Sequence, residues 1–197
     1  MFIPTPNHPP RRRRNGCTRE RRAAGRPALA GLLPLLLLAA CQSNPQYPEL
    51  ATVSNVDLDR YVGDWYVIAT IPTRFERDAF DAVERYERRP GYIDTTFIYR
   101  KGGHDGPEKR MRAKGYIRPD SGNARWGMQF IWPIRADFRV IYLDEDYQTT
   151  IVGRQARDYV WIMARTPRMA PEELDRHRDW LASLGYDIDK LVVIAHR

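Results

Sequence analysis

The sequence predicts an all-β fold: an eight-stranded antiparallel up-and-down barrel with one C-terminal helix packed on its wall and a short ninth strand. Three observations predict it. From Tyr61 onward, short runs rich in β-branched and aromatic residues recur at even spacing between turn signals. One segment alone carries helix signals, and a short apolar run follows it. A single helix after eight strands points away from an immunoglobulin-like sandwich and toward a closed barrel.

The chain before the barrel is read in two parts. Residues 11–26 hold a cluster of arginines, followed by an apolar run from Ala28 to Ala40 that Gly31 and Pro34 interrupt. That run is shorter than the roughly 20 residues needed to span a bilayer as a helix. A basic stretch, a short apolar stretch and small residues form the layout of a secretory signal peptide, so residues 1–40 are read as a targeting segment. The basic stretch is long, which fits a translation start downstream of Met1. The apolar residues expected just after the pair in a twin-arginine signal are missing, which favours ordinary export. Residues 41–54, containing QSNPQYPELATVS, are polar with two prolines and no periodicity, as a tether would be. The domain is assigned to residues 55–197.

Removing the targeting segment changes the charge. The whole chain carries 32 Lys+Arg against 25 Asp+Glu; residues 1–40 hold eight arginines and one glutamate, which leaves 24 of each sign. The basic excess that would suggest a nucleic-acid partner therefore sits in the discarded piece. Of the two cysteines, Cys17 goes with it, so the exported chain keeps Cys41 alone and forms no internal disulfide. Residues 41–197 are long enough to bury about 70% of their unfolded surface in a single core.

The strands follow in order: WYVIAT (65–70), DAVERYER (81–88), YIDTTFIYR (92–100), RMRAKGYIR (110–118), RWGMQFIW (125–132), DFRVIYLD (137–144), YQTTIVG (147–153) and YVWIMAR (159–165). RPGY, KGGHDGPE, PDSGN, DED and RQARD supply the turns. In APEELDRHRDWLASLGY, proline and acidic residues mark a start, glycine marks an end, and Leu174, Leu181 and Leu184 share a face, giving a helix of about 14 residues. KLVVIAH returns to strand.

Alternation assigns the inner face, because successive strand side chains point to opposite sides. It selects Trp126, Met128, Phe130 and Trp132 in one strand and Met111, Ala113, Gly115 and Ile117 in another. In the last barrel strand it selects Tyr159, Trp161 and Met163, with Val160 and Ile162 under the helix. An eight-stranded barrel can be filled by such side chains or can hold one small ligand, and alternation leaves both open. Arg74, Arg77, Arg135 and Arg139 are the candidate cations for a ligand headgroup.

No nucleophile motif appears. Ser43, Ser54, Ser121 and Ser183, with His104, His177 and His196, form no Gly-x-Ser-x-Gly arrangement, and no metal-ligand spacing is present. The reading calls for neither catalysis, cofactor nor metal.

Several motifs carry a family resemblance. Gly63-Asp64-Trp65 resembles the Gly-x-Trp that opens the first strand of lipocalins. Asp146-Tyr147 resembles their Thr-Asp-Tyr block, with Glu145 where threonine is usual. Arg165 matches the arginine near the end of the last barrel strand. TRFERD (73–78) and RDYVWIMARTP (157–167) resemble the bacterial outer-membrane subgroup. The resemblance covers residues 55–195 and implies an apolar cavity for fatty acids or lysophospholipids, bounded by Trp126, Met128, Phe130, Trp132, Met111 and Trp161, with Arg74 and Arg139 near its mouth. It also implies that Trp65 and Arg165 close the narrow end through a cation-π contact, a structural role.

Leu38-Ala39-Ala40-Cys41 resembles a lipoprotein lipobox. The resemblance implies cleavage before Cys41, a diacylglycerol thioether on its sulfur and an acyl chain on its amino group, enough for stable anchoring. Gln42, where aspartate would favour inner-membrane retention, implies the periplasmic leaflet of the outer membrane. A buried core cysteine is the other reading of Cys41, a solid-packed structural lipoprotein and, after it, a small-molecule-converting enzyme are the other readings of the barrel, and pairing of two barrels stays open.

Overall fold

The computed structural model describes residues 47–197. The expected targeting segment, residues 1–40, and Cys41 lie outside the described residues. A one-turn helix α1 (Leu58–Tyr61) leads into β1 (Gly63–Ile71), β2 (Ala79–Arg89), β3 (Tyr92–Lys101), β4 (Glu108–Ile117), β5 (Arg125–Gln129), β6 (Ala136–Leu143), β7 (Thr149–Gly153) and β8 (Val160–Ala164). Helix α2 (Pro171–Ser183), a 3-10 turn (Ile188–Lys190) and β9 (Val192–Val193) complete the chain.

From β1 to β8 each strand pairs antiparallel with the next, and β1 closes the barrel by pairing with both β2 and β8. The first half of β1 bonds β2, with Trp65 opposite Glu84. Its second half bonds β8, and β9 covers its free side at Ala69 and Thr70. Closure removes the unpaired edges of an open sheet. The tightest hairpin joins β2 to β3 through Pro90-Gly91: proline fixes its own φ and Gly91 takes φ 82°, the order a type II turn requires.

Two apolar clusters follow from the alternation. Inside the barrel, Tyr61, Trp65, Tyr86, Trp126 and Phe138 pack the end closed by α1, with Trp126 stacked on Phe138 at 4.6 Å. Outside, Ile151, Val160 and Ile162 meet Leu181 of α2. Pro171 and the first-turn Glu172 and Glu173 favour the start of α2. Gly185, at φ 91°, ends it: its N–H reaches Ala182 O at 3.0 Å and the Tyr186 N–H reaches Leu181 O at 3.1 Å, a Schellman closure.

Two expectations change. The fifth strand stops at Gln129, because β5 and β6 pair only back to Met128 and Ala136, and Pro133 has no N–H to extend the ladder. Phe130 and Trp132 therefore sit in an exposed turn and not on an inward face. The second change is upstream, where the expected tether is bound from Tyr47 onward. Leu50 is buried against the wall, its N–H donates to Gln155 Oε1 at 2.9 Å, and the Val53 N–H donates to Val140 O at 3.0 Å.

Candidate ligand-binding cavity

The aromatic cluster fills only one end of the barrel. Above it lies a cavity of about 560 Å³, walled by Phe97, Met111, Ala113, Met128, Phe138 and Met163, within the range of small-molecule sites. The small side chain at Ala113 leaves room beside Met111 and Met128. Gly115 has no such latitude itself, since a methyl there would meet the Trp126 ring at 3.0 Å.

The β1–β2 loop, with Arg74 and Phe75, and the β5–β6 turn, with Phe130 and Ile131, form the mouth. Arg154 and Tyr159, from the turn between β7 and β8, complete its rim. Arg154 pairs with Asp158 at 3.1 Å, and its Nε is buried without a partner.

The interior is apolar except for a small acidic group. Glu84 points inward between Ala82 and Tyr86, and the surface it retains lines the cavity. Burial, with a contribution from Glu76, raises its pKa to about 8, so the carboxyl is largely protonated at neutral pH. Glu76 folds in from the loop, accepts the Thr73 N–H at 2.8 Å, and is raised chiefly by burial. One oxygen of Glu84, the Thr95 hydroxyl and the Trp161 indole N–H are buried with no hydrogen-bond partner. Trp161 N–H lies near enough to Glu76 to offset part of its burial but completes no hydrogen bond.

At the opposite end, Arg165 organises the closure. Its guanidinium lies 3.8 Å from the Trp65 ring centroid. Nη1 donates to Asp64 O at 2.7 Å, and Nη2 faces Arg60 O, Tyr61 O and Val62 O at 2.8, 3.0 and 3.1 Å. Trp65 Nε1 donates to Tyr61 O at 2.8 Å, so indole and guanidinium hold the same short helix. Gly63 makes this approach possible: at φ 101°, the place a methyl would take lies 3.3 Å from Arg165 Nη1.

The expected site residues thus separate into three groups. Met111, Met128 and Trp161 line the cavity, while Phe130 and Arg74 stand at its mouth. Trp126 lies beneath it in the closed end, where its indole N–H donates to Asn123 O at 2.6 Å. Trp132 and Arg139 do not line it. Trp132 is 82% exposed. Arg139 points outward, because Phe138 and Val140 point in; it donates to Asp137 at 2.9 Å and to Leu50 O at 3.1 Å. Arg135 likewise lies outside, 3.9 Å from the Tyr116 ring.

In the β6–β7 turn, the Tyr147 hydroxyl accepts the Asp57 N–H at 2.9 Å and its ring carries Arg60 at 4.0 Å. The carboxylate holding that turn is Asp144, which accepts the N–H groups of Gln148 and Thr149, whereas Asp146 is exposed. Glu76, Glu84, Thr95 and Arg154 had no place in the reading of the sequence. Glu84 had a signal, the alternation Ala82, Glu84, Tyr86. Among the described residues no cluster of His, Cys, Asp and Glu could hold a metal ion.

Comparison with known proteins agrees with this geometry. Residues 56–196 match the family model described as a lipocalin-like domain. The chain is 30% identical over 169 residues to "Outer membrane lipoprotein Blc" of Citrobacter freundii, covering 84% of this chain and 94% of that protein. It is 30% identical over 152 residues to "Temperature-induced lipocalin-1" of Arabidopsis thaliana, covering 73% and 81% respectively. Among solved structures, insecticyanin from the tobacco hornworm Manduca sexta superimposes with a TM-score of 0.59 at 16% identity, over 75% of this chain and 85% of that one. A barrel closed by Trp65 and Arg165 around an apolar cavity, with these relatives, leads to one conclusion: the chain belongs to the lipocalin family and is of its bacterial Blc type.

Proposed function

We propose that this lipocalin stores or carries fatty acids or lysophospholipids in the bacterial envelope, held by an acylated Cys41 at the periplasmic leaflet of the outer membrane. The observation that carries the proposal is the apolar cavity of about 560 Å³ with arginines at its rim and carboxyl groups within. A packed structural barrel would have no such space. Burying some 14 methylenes would contribute ~11 kcal/mol before the costs of ordering and association, leaving room for micromolar binding without a specific polar contact.

The charge layout sets the direction of entry. Among the lining residues the cations are Arg74 and Arg154, both at the rim, so a phosphate or carboxylate would be charge-paired there and desolvated without a cation deeper in. The acyl chain enters first and the headgroup stays at the mouth. The relatives named for the outer membrane, the lipobox-like segment and Gln42 support the location.

Native mass spectrometry of the purified full chain tests the reading. Adducts of fatty-acid or lysophospholipid mass are expected. The double variant Arg74→Glu/Arg154→Glu is expected to weaken lysophospholipid binding about three- to tenfold, as loss of two rim cations would. A protein that emerges empty and takes up no added lysophospholipid would refute the proposal.

A further inference from the structure

The exposed apolar side chains are not scattered. Phe75, Phe130, Ile131, Trp132 and Ile134, between 55% and 82% exposed, account for five of the seven large ones among the described residues. All five belong to the two loops that form the mouth, and Arg74, Arg77 and Arg135 stand in or beside them. Contiguous exposed apolar surface ringed by cations marks a contact site, and its chemistry suits an anionic lipid interface.

The course of the N-terminal segment says which surface that is. From α1 at the closed end, the chain runs back along the outer wall: Val56 N–H bonds Gly122 O, Val53 N–H bonds Val140 O, and Leu50 meets Gln155. Pro48 O accepts from Gln155 Nε2 at 3.0 Å and Arg157 Nη2 at 2.9 Å, both in the β7–β8 turn whose Arg154 and Tyr159 rim the mouth. The described chain therefore begins at the open end. Residues 42–46 separate Tyr47 from Cys41, a span of at most roughly 20 Å even when fully extended.

We infer that the mouth end is a membrane-contact surface: Phe75 and the Phe130–Ile134 turn enter the leaflet that holds the acylated Cys41, so that the cavity opens onto lipid. This rests on the reading of the chain as an anchored lipid carrier. The occupant is the bilayer, because the described chain begins at the same end as the apolar turn and only five residues separate Tyr47 from Cys41. Lipid then reaches the cavity directly from the leaflet, without crossing water as a free monomer.

The test uses the full lipidated chain in vesicles of phosphatidylethanolamine and phosphatidylglycerol with brominated acyl chains, which quench nearby tryptophans. Trp132 emission, read as the difference between the wild type and Trp132→Phe, is expected to be quenched, while Trp65 and Trp126, buried in the closed end, are unaffected. The exposed-site variant Trp132→Ser/Ile134→Ser, at two positions that do not line the cavity, is expected to keep its melting temperature and its affinity for lysophospholipid monomers in water. Its uptake of lysophospholipid from vesicles should slow about tenfold. Unquenched Trp132 in the anchored protein overturns the inference, as does sedimentation showing a stable dimer in which Trp132 is shielded by a second copy. Failure of the wild-type chain to bind lysophospholipid monomers would instead strike the lipid-carrier reading itself.

Discussion

Replacing Trp65 with alanine is expected to lower stability by roughly 3–5 kcal/mol and the melting temperature by about 10 °C or more, while changing affinity for a cavity ligand by less than about twofold. The side chain is fully buried, and its loss removes the stacking partner of Arg165, the hydrogen bond to Tyr61 O, and the contact with the Tyr61 ring at 5.3 Å. Affinity is spared because Trp65 lies outside the cavity wall. Arg165→Lys should be nearly as damaging as Arg165→Ala, since an ammonium cannot reach the Asp64, Arg60, Tyr61 and Val62 carbonyls in one planar fork. Calorimetry with a parallel lipid titration separates the two effects. Lost affinity at an unchanged melting temperature would show that Trp65 belongs to the ligand site and not to the closure.

The second large effect concerns Glu84. Its folded-state pKa is raised to about 8 from 4.5, so between those values the folded protein holds a proton that the unfolded chain releases. Stability from this group is complete below pH 4.5 and is lost as pH rises toward 8. Glutamine cannot ionise, so Glu84→Gln should flatten this part of the profile. The variant is expected to exceed the wild type by ~2–4 kcal/mol at pH 9 and to match it more closely at pH 5, allowing for water admitted to the cavity. Glu76, from the loop, shares this field and is read in the same profile, whereas Tyr61 and Tyr86, raised further above their ordinary value by burial, stay protonated throughout it. Urea unfolding at pH 5, 7 and 9 checks it. Parallel curves for the two proteins would mean that Glu84 is solvated or paired.

Much of the fold was legible because a half-buried strand announces itself by alternation. Met111 and Ala113 face the cavity and Gly115 packs against Trp126, all on the face of β4 that the pattern selects, and Val160 and Ile162 lie under α2. The same pattern, carried through every strand, would have turned Glu84 inward and Arg139 outward. Trp132 shows where alternation stops: Pro133 ends the ladder, and beyond it there is no sheet to define a face. The docking of Leu50 had no local signal, since its partners Gln155 and Arg139 are about a hundred positions away. The Arg165 carbonyl cluster arises from α1, β1 and β8 meeting, which no single segment encodes. The charge of the cavity was missed for a chemical reason: an acidic residue in a strand reads as solvent-facing unless its neighbours on the same face are followed.

The central claim is that the space beside Ala113 holds a lipid chain. Titration calorimetry of lysophospholipid, below its micelle concentration, into the wild-type chain and into Ala113→Phe tests this most directly. Ala113 is on the cavity wall, so a benzyl group fills the space without displacing the closed-end core. The account predicts one-to-one micromolar binding to the wild type and at least about tenfold weaker binding to the variant, with melting temperatures within about 3 °C. Equal binding to both chains, or none to the wild type, would contradict it.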